Sequence, residues 1–434
     1  MDWIIILASF FSALLLLMLT GINVFIAFLA VNLTATALLI GERGFGLFVN
    51  SVTDSTSNGS YATIPLFILM GEILFRSGSV DVLFDSVDRL IGKMRGRLYA
   101  VVIVIATIFG ALSGAAVAVS AMLGRSAMPT MEARGYSPRL SATVILAGAS
   151  LAPIIPPSLL AIIIGSLADV SIAGLLIAGI VPGIIISIMT GAYVTASVIS
   201  NPSLAPANSN ETDDHRGSAF GAILRMFPFM FIIFMVMGMI MLGIATPGES
   251  AATGVVGSIL VAMLYKRASF SMLRTALISA TRLSVMIMVI VASSTLFSQL
   301  VAFTGASRAL VAWATDLGLS PMAMFFILMA LPFVLCMFID QIAFLLMAVP
   351  LYEPLVTALG YDPIWFWTIF LINLTVGGVT PPFGYTLFAL SAAAPNLSVG
   401  QVFRASYPVV AIFLLAMLLL TLVPGLVTWL PGII

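Results

Sequence analysis

Charge and reactive side chains are what this 434-residue sequence has least of. Only 8% of residues are charged, with 17 basic against 17 acidic, so no strong field marks a nucleic acid as partner. A single cysteine, Cys336, excludes an intrachain disulfide, and the one histidine, His215, lies in a polar stretch and leaves no cluster for haem or zinc. No phosphate loop, nucleophile triad or metal-ligand spacing is present, so the sequence does not read as an enzyme. Buried carboxylate or histidine chains are scarce as well, which disfavours a proton relay.

What fills the space is apolar: 61% of residues are hydrophobic and the mean hydropathy is +1.21. Runs of roughly 20 apolar residues recur, interrupted by Gly and Pro instead of alternating with polar residues, which predicts an all-α integral membrane bundle. The N-terminus, MDWIIILASFFSALLLLMLTG, starts acidic and lacks a basic region, so a retained span is expected there instead of a cleaved signal.

Landmarks recur at a nearly constant offset. Gly78 and Gly305 are 227 apart, Gly92 and Gly318 226, Pro157 and Pro382 225, and Pro182 and Pro408 226. An internal duplication follows, with residues 1–200 and 222–434 as halves and the polar stretch 201–221 as linker. Basic clusters (Arg89, Lys93, Arg95 and Arg97; Arg134 and Arg139; Lys266, Arg267 and Arg274) mark the cytoplasmic side, while the loops of Asp54, Asp316, Glu353 and Asp362 are poor in Lys and Arg and fit the outside.

Between two basic clusters lie apolar arms meeting at Ser113-Gly114, over 98–130. Each arm is about 15 residues, or about 22 Å of helix against a hydrocarbon core of about 30 Å, too short to span. A re-entrant hairpin returns the chain to the side the charges require; two full spans would do so too, and the arm length with the Ser-Gly tip favours the hairpin. The corresponding stretch 321–355, broken at Asp340-Gln341, has acidic ends and is expected to enter from outside. Hairpins from opposite faces are the pattern of inverted-topology repeats in secondary transporters, here with five spans per half, about ten in all, plus two hairpins.

The paired prolines in ASLAPIIPPS (149–158) and GGVTPPFGYT (377–386) each remove two amide donors. Carbonyls of Ala152, Ile155, Gly377 and Thr380 are then expected to be free for a small hard cation, which prefers oxygen ligands. A packed proline kink is the plain alternative for either pair alone; two at matched positions favour a site. Asp340 is the strongest ionisable candidate, as cation ligand or as a polar cap on its tip, whereas Glu72 and Glu249 fit helix contacts or the interface. Segments 77–97 and 306–318 read as surface helices, and Arg76, Arg89 and Lys93 as headgroup contacts.

The motifs IPLFILMGE (64–72), GALSGAAVAVSAMLG (110–124), MPTMEARGY (128–136), LAPIIPPS (151–158), ATPGESAATG (245–254), FIDQIA (338–343) and GGVTPPFGYT (377–386) together resemble the large membrane subunit of tripartite ATP-independent periplasmic (TRAP) transporters, over essentially the full length. The resemblance implies an elevator-type, Na⁺-coupled importer in the bacterial or archaeal cytoplasmic membrane. It also implies two separate partner chains: a small membrane subunit of about four helices and a soluble periplasmic protein that delivers an organic anion. The resemblance implies Na⁺ sites at Ser113, Ala116, Ala152, Ile155 and Pro157, and at Gln341, Gly377, Thr380 and Phe383, with Asp340 expected beside the second from its place at the tip. Ser113, Gly114, Pro156, Gly378, Pro381 and Pro382 are expected to flank the substrate. At Ala116 only the carbonyl can serve as a ligand. Two rivals stand beside this reading: a stand-alone ion-coupled carboxylate transporter working without a binding protein, and a subunit of a membrane enzyme complex.

Overall fold

The computed structural model describes residues 3–78, 82–83, 86–87, 95–206 and 219–433. Arg89, Lys93, His215 and most of the 77–97 and 201–221 segments lie outside the described residues. No strand occurs among the described residues. Twenty helices follow one another there: α1 (Trp3–Leu19), α2 (Val24–Leu39), α3 (Phe45–Ser57), α4 (Thr63–Arg76), α5 (Arg97–Ser113), α6 (Ala116–Ala133), α7 (Pro138–Leu151), α8 (Leu159–Leu167), α9 (Ile172–Ala178), α10 (Ile180–Ser200), α11 (Ala219–Met241), α12 (Pro247–Leu264), α13 (Phe270–Phe303), α14 (Ala306–Asp316), α15 (Pro321–Leu335), α16 (Gln341–Ala358), α17 (Pro363–Gly377), α18 (Tyr385–Ala393), α19 (Val399–Leu422) and α20 (Gly425–Thr428).

Among the described residues six helical stretches are long and apolar enough to cross a bilayer, seven if the bent pair ending in α4 counts as one. Ten spans were expected. The difference has a physical origin in the breaks, because α7/α8 and α17/α18 are interrupted where an unbroken span would be counted, and α1 and α2 fall just short of the length.

The centre is built on two helices without a polar face. Every residue of α7 from Leu140 to Leu151 is buried, and so is every residue of α17 from Trp365 to Gly377. Helices apolar all round are core helices. Around α7 pack α5, α6 and α19; around α17 pack α15, α16 and α19. Small residues let the backbones approach: a Cβ at Gly148 would lie 2.3 Å from the Ala106 Cβ, and one at Gly110 2.8 Å from the Ala152 Cα. Side-chain hydrogen bonds tie the layers together. Thr143 Oγ1 donates to the Ala405 carbonyl at 2.9 Å, Asn373 Nδ2 to the Met329 carbonyl at 2.6 Å, and Trp365 Nε1 to the Leu420 carbonyl at 3.1 Å. Such bonds contribute about 0.6 kcal/mol each in a membrane setting.

Contacts also join helices far apart in the chain. α6 packs on α18 and α16 packs on α8, and Ser120 Oγ in α6 donates to the Thr386 carbonyl in α18 at 3.1 Å.

Candidate functional site

Gly114 ends α5 in the left-handed region, φ +61°, where its N–H reaches the Gly110 carbonyl at 2.8 Å. That single residue turns the chain into α6, and a side chain there would be strained. The described part of Ser113 is its backbone. A Cβ at Gly114 would lie 3.2 Å from the Leu159 nitrogen and 3.7 Å from the Pro157 oxygen, so the first tip sits against the end of the first proline break.

In that break the Ile154 and Ile155 N–H groups both turn back to the Leu151 carbonyl, at 3.0 and 2.9 Å. Ser158 closes it: its hydroxyl donates to the Pro153 carbonyl and accepts the Ala161 N–H, starting α8. Among the described residues no donor reaches the carbonyls of Ala152, Ile155 or Pro157, in line with the expectation of freed oxygens. Ala116 and Ala152 are buried and Ile155 half-buried. Both Pro156-Pro157 and Pro381-Pro382 are cis.

The second break differs. Here the expectation of unpaired carbonyls is corrected: Gly377 accepts the Thr380 N–H at 3.1 Å and Thr380 accepts the Gly384 N–H at 3.2 Å. The glycine after the second proline pair keeps an N–H that can fold the loop back on itself; at the matched place in the first half Ser158 closes the loop with its hydroxyl. A carbonyl oxygen has two lone pairs, so each keeps one. The Thr380 hydroxyl donates to the Val376 carbonyl at 2.6 Å.

Asp340 is an exposed residue at the second tip, and its carboxylate accepts the Ile342 and Ala343 N–H groups at 3.0 and 3.3 Å. It therefore caps α16, one of its two predicted roles, with one oxygen still open. Gln341 is buried and donates through Nε2 to the Leu374 carbonyl at 3.0 Å. A Cβ at Gly378 would lie 2.8 Å from that nitrogen. The ring of Phe383, exposed at 56%, lies 5.6 Å from Phe338 of the tip. The structure thus groups Gly114 with Pro157, and Gln341 with Gly378.

Two contacts escaped sequence reasoning. Leu159 meets the first tip, and Tyr385 lies over Gly378, its ring and hydroxyl both 2.7 Å from the position of a Cβ. They are 226 residues apart, so the repeat offset was the signal that could have found them. Glu72 and Glu249 are accounted for structurally: Glu72 pairs with Arg76 at 2.8 Å, Arg76 reaches Ser279 at 2.9 Å, and Glu249 forms a capping box with Thr246.

Residues 11–426 match the family model described as the DctM component of the tripartite ATP-independent periplasmic transporter. The chain is 28% identical over 400 residues to the C4-dicarboxylate TRAP transporter large permease protein DctM of Pseudomonas aeruginosa, covering 92% of each chain. It is 29% identical over 384 residues to the 2,3-diketo-L-gulonate TRAP transporter large permease protein YiaN of Escherichia coli, covering 88% of each. It is 26% identical over 387 residues to the ectoine/5-hydroxyectoine TRAP transporter large permease protein UehC of Ruegeria pomeroyi, covering 89% of each. Among solved structures the YdaH transporter of Alcanivorax borkumensis shares the fold, with a TM-score of 0.65 over 89% of each chain at 15% identity.

Proposed function

Because the chain belongs to the DctM component family of tripartite ATP-independent periplasmic transporters, we propose that it carries a small organic carboxylate inward across the cytoplasmic membrane on a Na⁺ gradient. It works in this reading with a small membrane subunit and a periplasmic binding protein as separate chains. The observation that carries it is the pairing of each hairpin tip with a proline break, Gly114 against Pro157 and Gln341 against Gly378. Irregular backbone is tolerated at membrane depth where it is buried in protein or lines a cavity, and matched interruptions in two halves are where such transporters bind ions and substrate.

Na⁺ would be held at the first break mainly by the carbonyls of Ala152, Ile155 and Pro157, which accept no other bond among the described residues. At the second it would take the remaining lone pairs of Gly377 and Thr380, with the side-chain oxygen of Gln341. Hydrated ions give up water only to such preset oxygens, so ion binding would order the loops that flank the substrate. The two hairpins with α7/α8 and α17/α18 form the moving body, and inverted repeats supply its two alternate positions. That these elements share one core, each hairpin packed on its own broken helix, supports a single body. A carboxylate is common to the compounds named for the three relatives, which supports that substrate class.

In vesicles holding the chain with its two partner chains, uptake of the compound bound by the periplasmic protein is expected to need an inward Na⁺ gradient and to stop without that protein. Uptake indifferent to Na⁺ would overturn the coupling, and uptake by the chain alone would favour a stand-alone carrier. Changing Gln341 to leucine, which removes the one side-chain oxygen assigned to an ion, is expected to raise the Na⁺ concentration for half-maximal uptake by about tenfold, a loss near 1.4 kcal/mol. The melting temperature should hold within a few degrees.

A further inference from the structure

Away from both breaks, a cleft of about 620 Å³ opens where the start of α4, the start of α12 and the α8–α9 turn meet. It lies at the ends of α4 and α12 remote from their basic termini at Arg76 and Lys266-Arg267. Its lining is polar and carries one charged residue, Asp169, with Asn58, Thr63, Ser166, Ser171 and Thr246 around it and no Lys or Arg. Two hydroxyls there lack partners among the described residues. Thr63 is only 2% exposed, forms no side-chain hydrogen bond, and points its Oγ1 toward Gly248, 3.2 Å from where a Cβ would sit. Ser166 Oγ is buried without a partner.

Asp169 itself follows α8 with φ +51°, the left-handed position at a helix end where glycine is cheapest. Val170 N–H reaches back to the Gly165 carbonyl at 3.0 Å, so the turn is a regular helix stop that glycine would satisfy without strain. A carboxylate occupies it instead, in no ion pair among the described residues, in a lining that holds Asn58 and several hydroxyl residues.

We propose that this cleft is a binding site for a small monovalent cation, separate from the two breaks. The carboxylate supplies the charge; the hydroxyls of Thr63 and Ser166, buried and unspent, supply oxygens for a partly hydrated ion. The cleft lies on the side away from the basic clusters, where ions arrive from outside, so an ion held here is concentrated at the mouth of the path. This assignment does not rest on Na⁺ binding at the breaks.

The test uses Ser60→Cys, an exposed position on the cleft wall, in the full chain with its partner subunits and a water-soluble maleimide. The native Cys336 is buried and sets the background. At twice the dissociation constant, Na⁺ is expected to slow labelling by about threefold relative to N-methylglucamine at equal ionic strength. Adding Asp169→Asn should abolish the slowing. Asp169→Gly should abolish it too while leaving the melting temperature unchanged or higher, which separates charge from folding. Labelling insensitive to Na⁺ overturns the proposal, and so does slowing that persists in Asp169→Asn, since it then originates at another site. Na⁺-driven uptake measured alongside reports independently on the breaks.

Discussion

Transport is expected to be lost, and stability lowered by about 1–3 kcal/mol, when Gly179 is replaced by alanine. Gly179 joins α9 to α10 with an ordinary helical φ of −71°, so alanine suits its backbone conformation and the whole effect is steric. The new Cβ would lie 2.2 Å from the Ile154 carbonyl oxygen and 3.4 Å from its carbon. Both belong to the backbone of the first proline break and cannot swing aside as a side chain would. Relief requires moving the loop that carries Ile155, Pro156 and Pro157, which is the loop the first hairpin tip rests on. Gly183, one turn on, provides the contrast. Its Cβ would meet the Ile155 side chain at 2.4 Å, a flexible neighbour, so Gly183→Ala should be the milder change. Thermal unfolding of the purified chain and Na⁺-driven uptake read the two effects; a Gly179→Ala protein normal in both would show that the break is not a fixed element of the site.

Gly378→Ala should leave the fold standing and cripple ion coupling. Its Cβ would lie 2.7 Å from the Tyr385 ring and hydroxyl and 2.8 Å from Gln341 Nε2. Tyr385 is half-buried and can turn outward, whereas the Gln341 amide is held by the Leu374 carbonyl at 3.0 Å inside the core. The amide must give, and with it the side-chain oxygen assigned to the second ion. The Na⁺ requirement for half-maximal uptake is expected to rise by about tenfold or more, with a small change in melting temperature. Tyr385→Ala placed beside it removes only the neighbour that is free to move and should restore little of the loss. Full recovery in the double variant would show that Tyr385, and not Gln341, carries the damage.

The sequence made the helical membrane class, both helix–tip–helix pairs and both proline breaks legible because each rests on local chemistry. Pro-Pro cannot continue a helix and Gly114 permits a left-handed turn; the expectation that every arm is too short to span is corrected, because α16 is 18 residues long and apolar enough to cross a bilayer by itself. The expected arms 98–130 and 321–355 coincide with the helix pairs α5–α6 and α15–α16 to within a few residues. What escaped was anything decided by a partner distant in the chain. Whether the Gly377 and Thr380 carbonyls are free depends on how the loop after Pro382 folds back, and the turn of Gly384 into Thr380 leaves no pattern in composition. The covering of Gly378 by Tyr385 likewise arises from tertiary packing, as does the cleft around Asp169, whose lining residues come from three separate stretches of chain.

The contacts between helices far apart in the chain have a further consequence. Since α6 packs on α18 and α16 on α8, in the mechanism proposed above neither helix pair would step without carrying the broken helix it touches along. A half-loaded carrier would then have no partial stroke available. Slippage, in which the gradient is dissipated with no cargo moved, would be opposed by the interlock itself, with no separate gate or messenger between the two proposed sites.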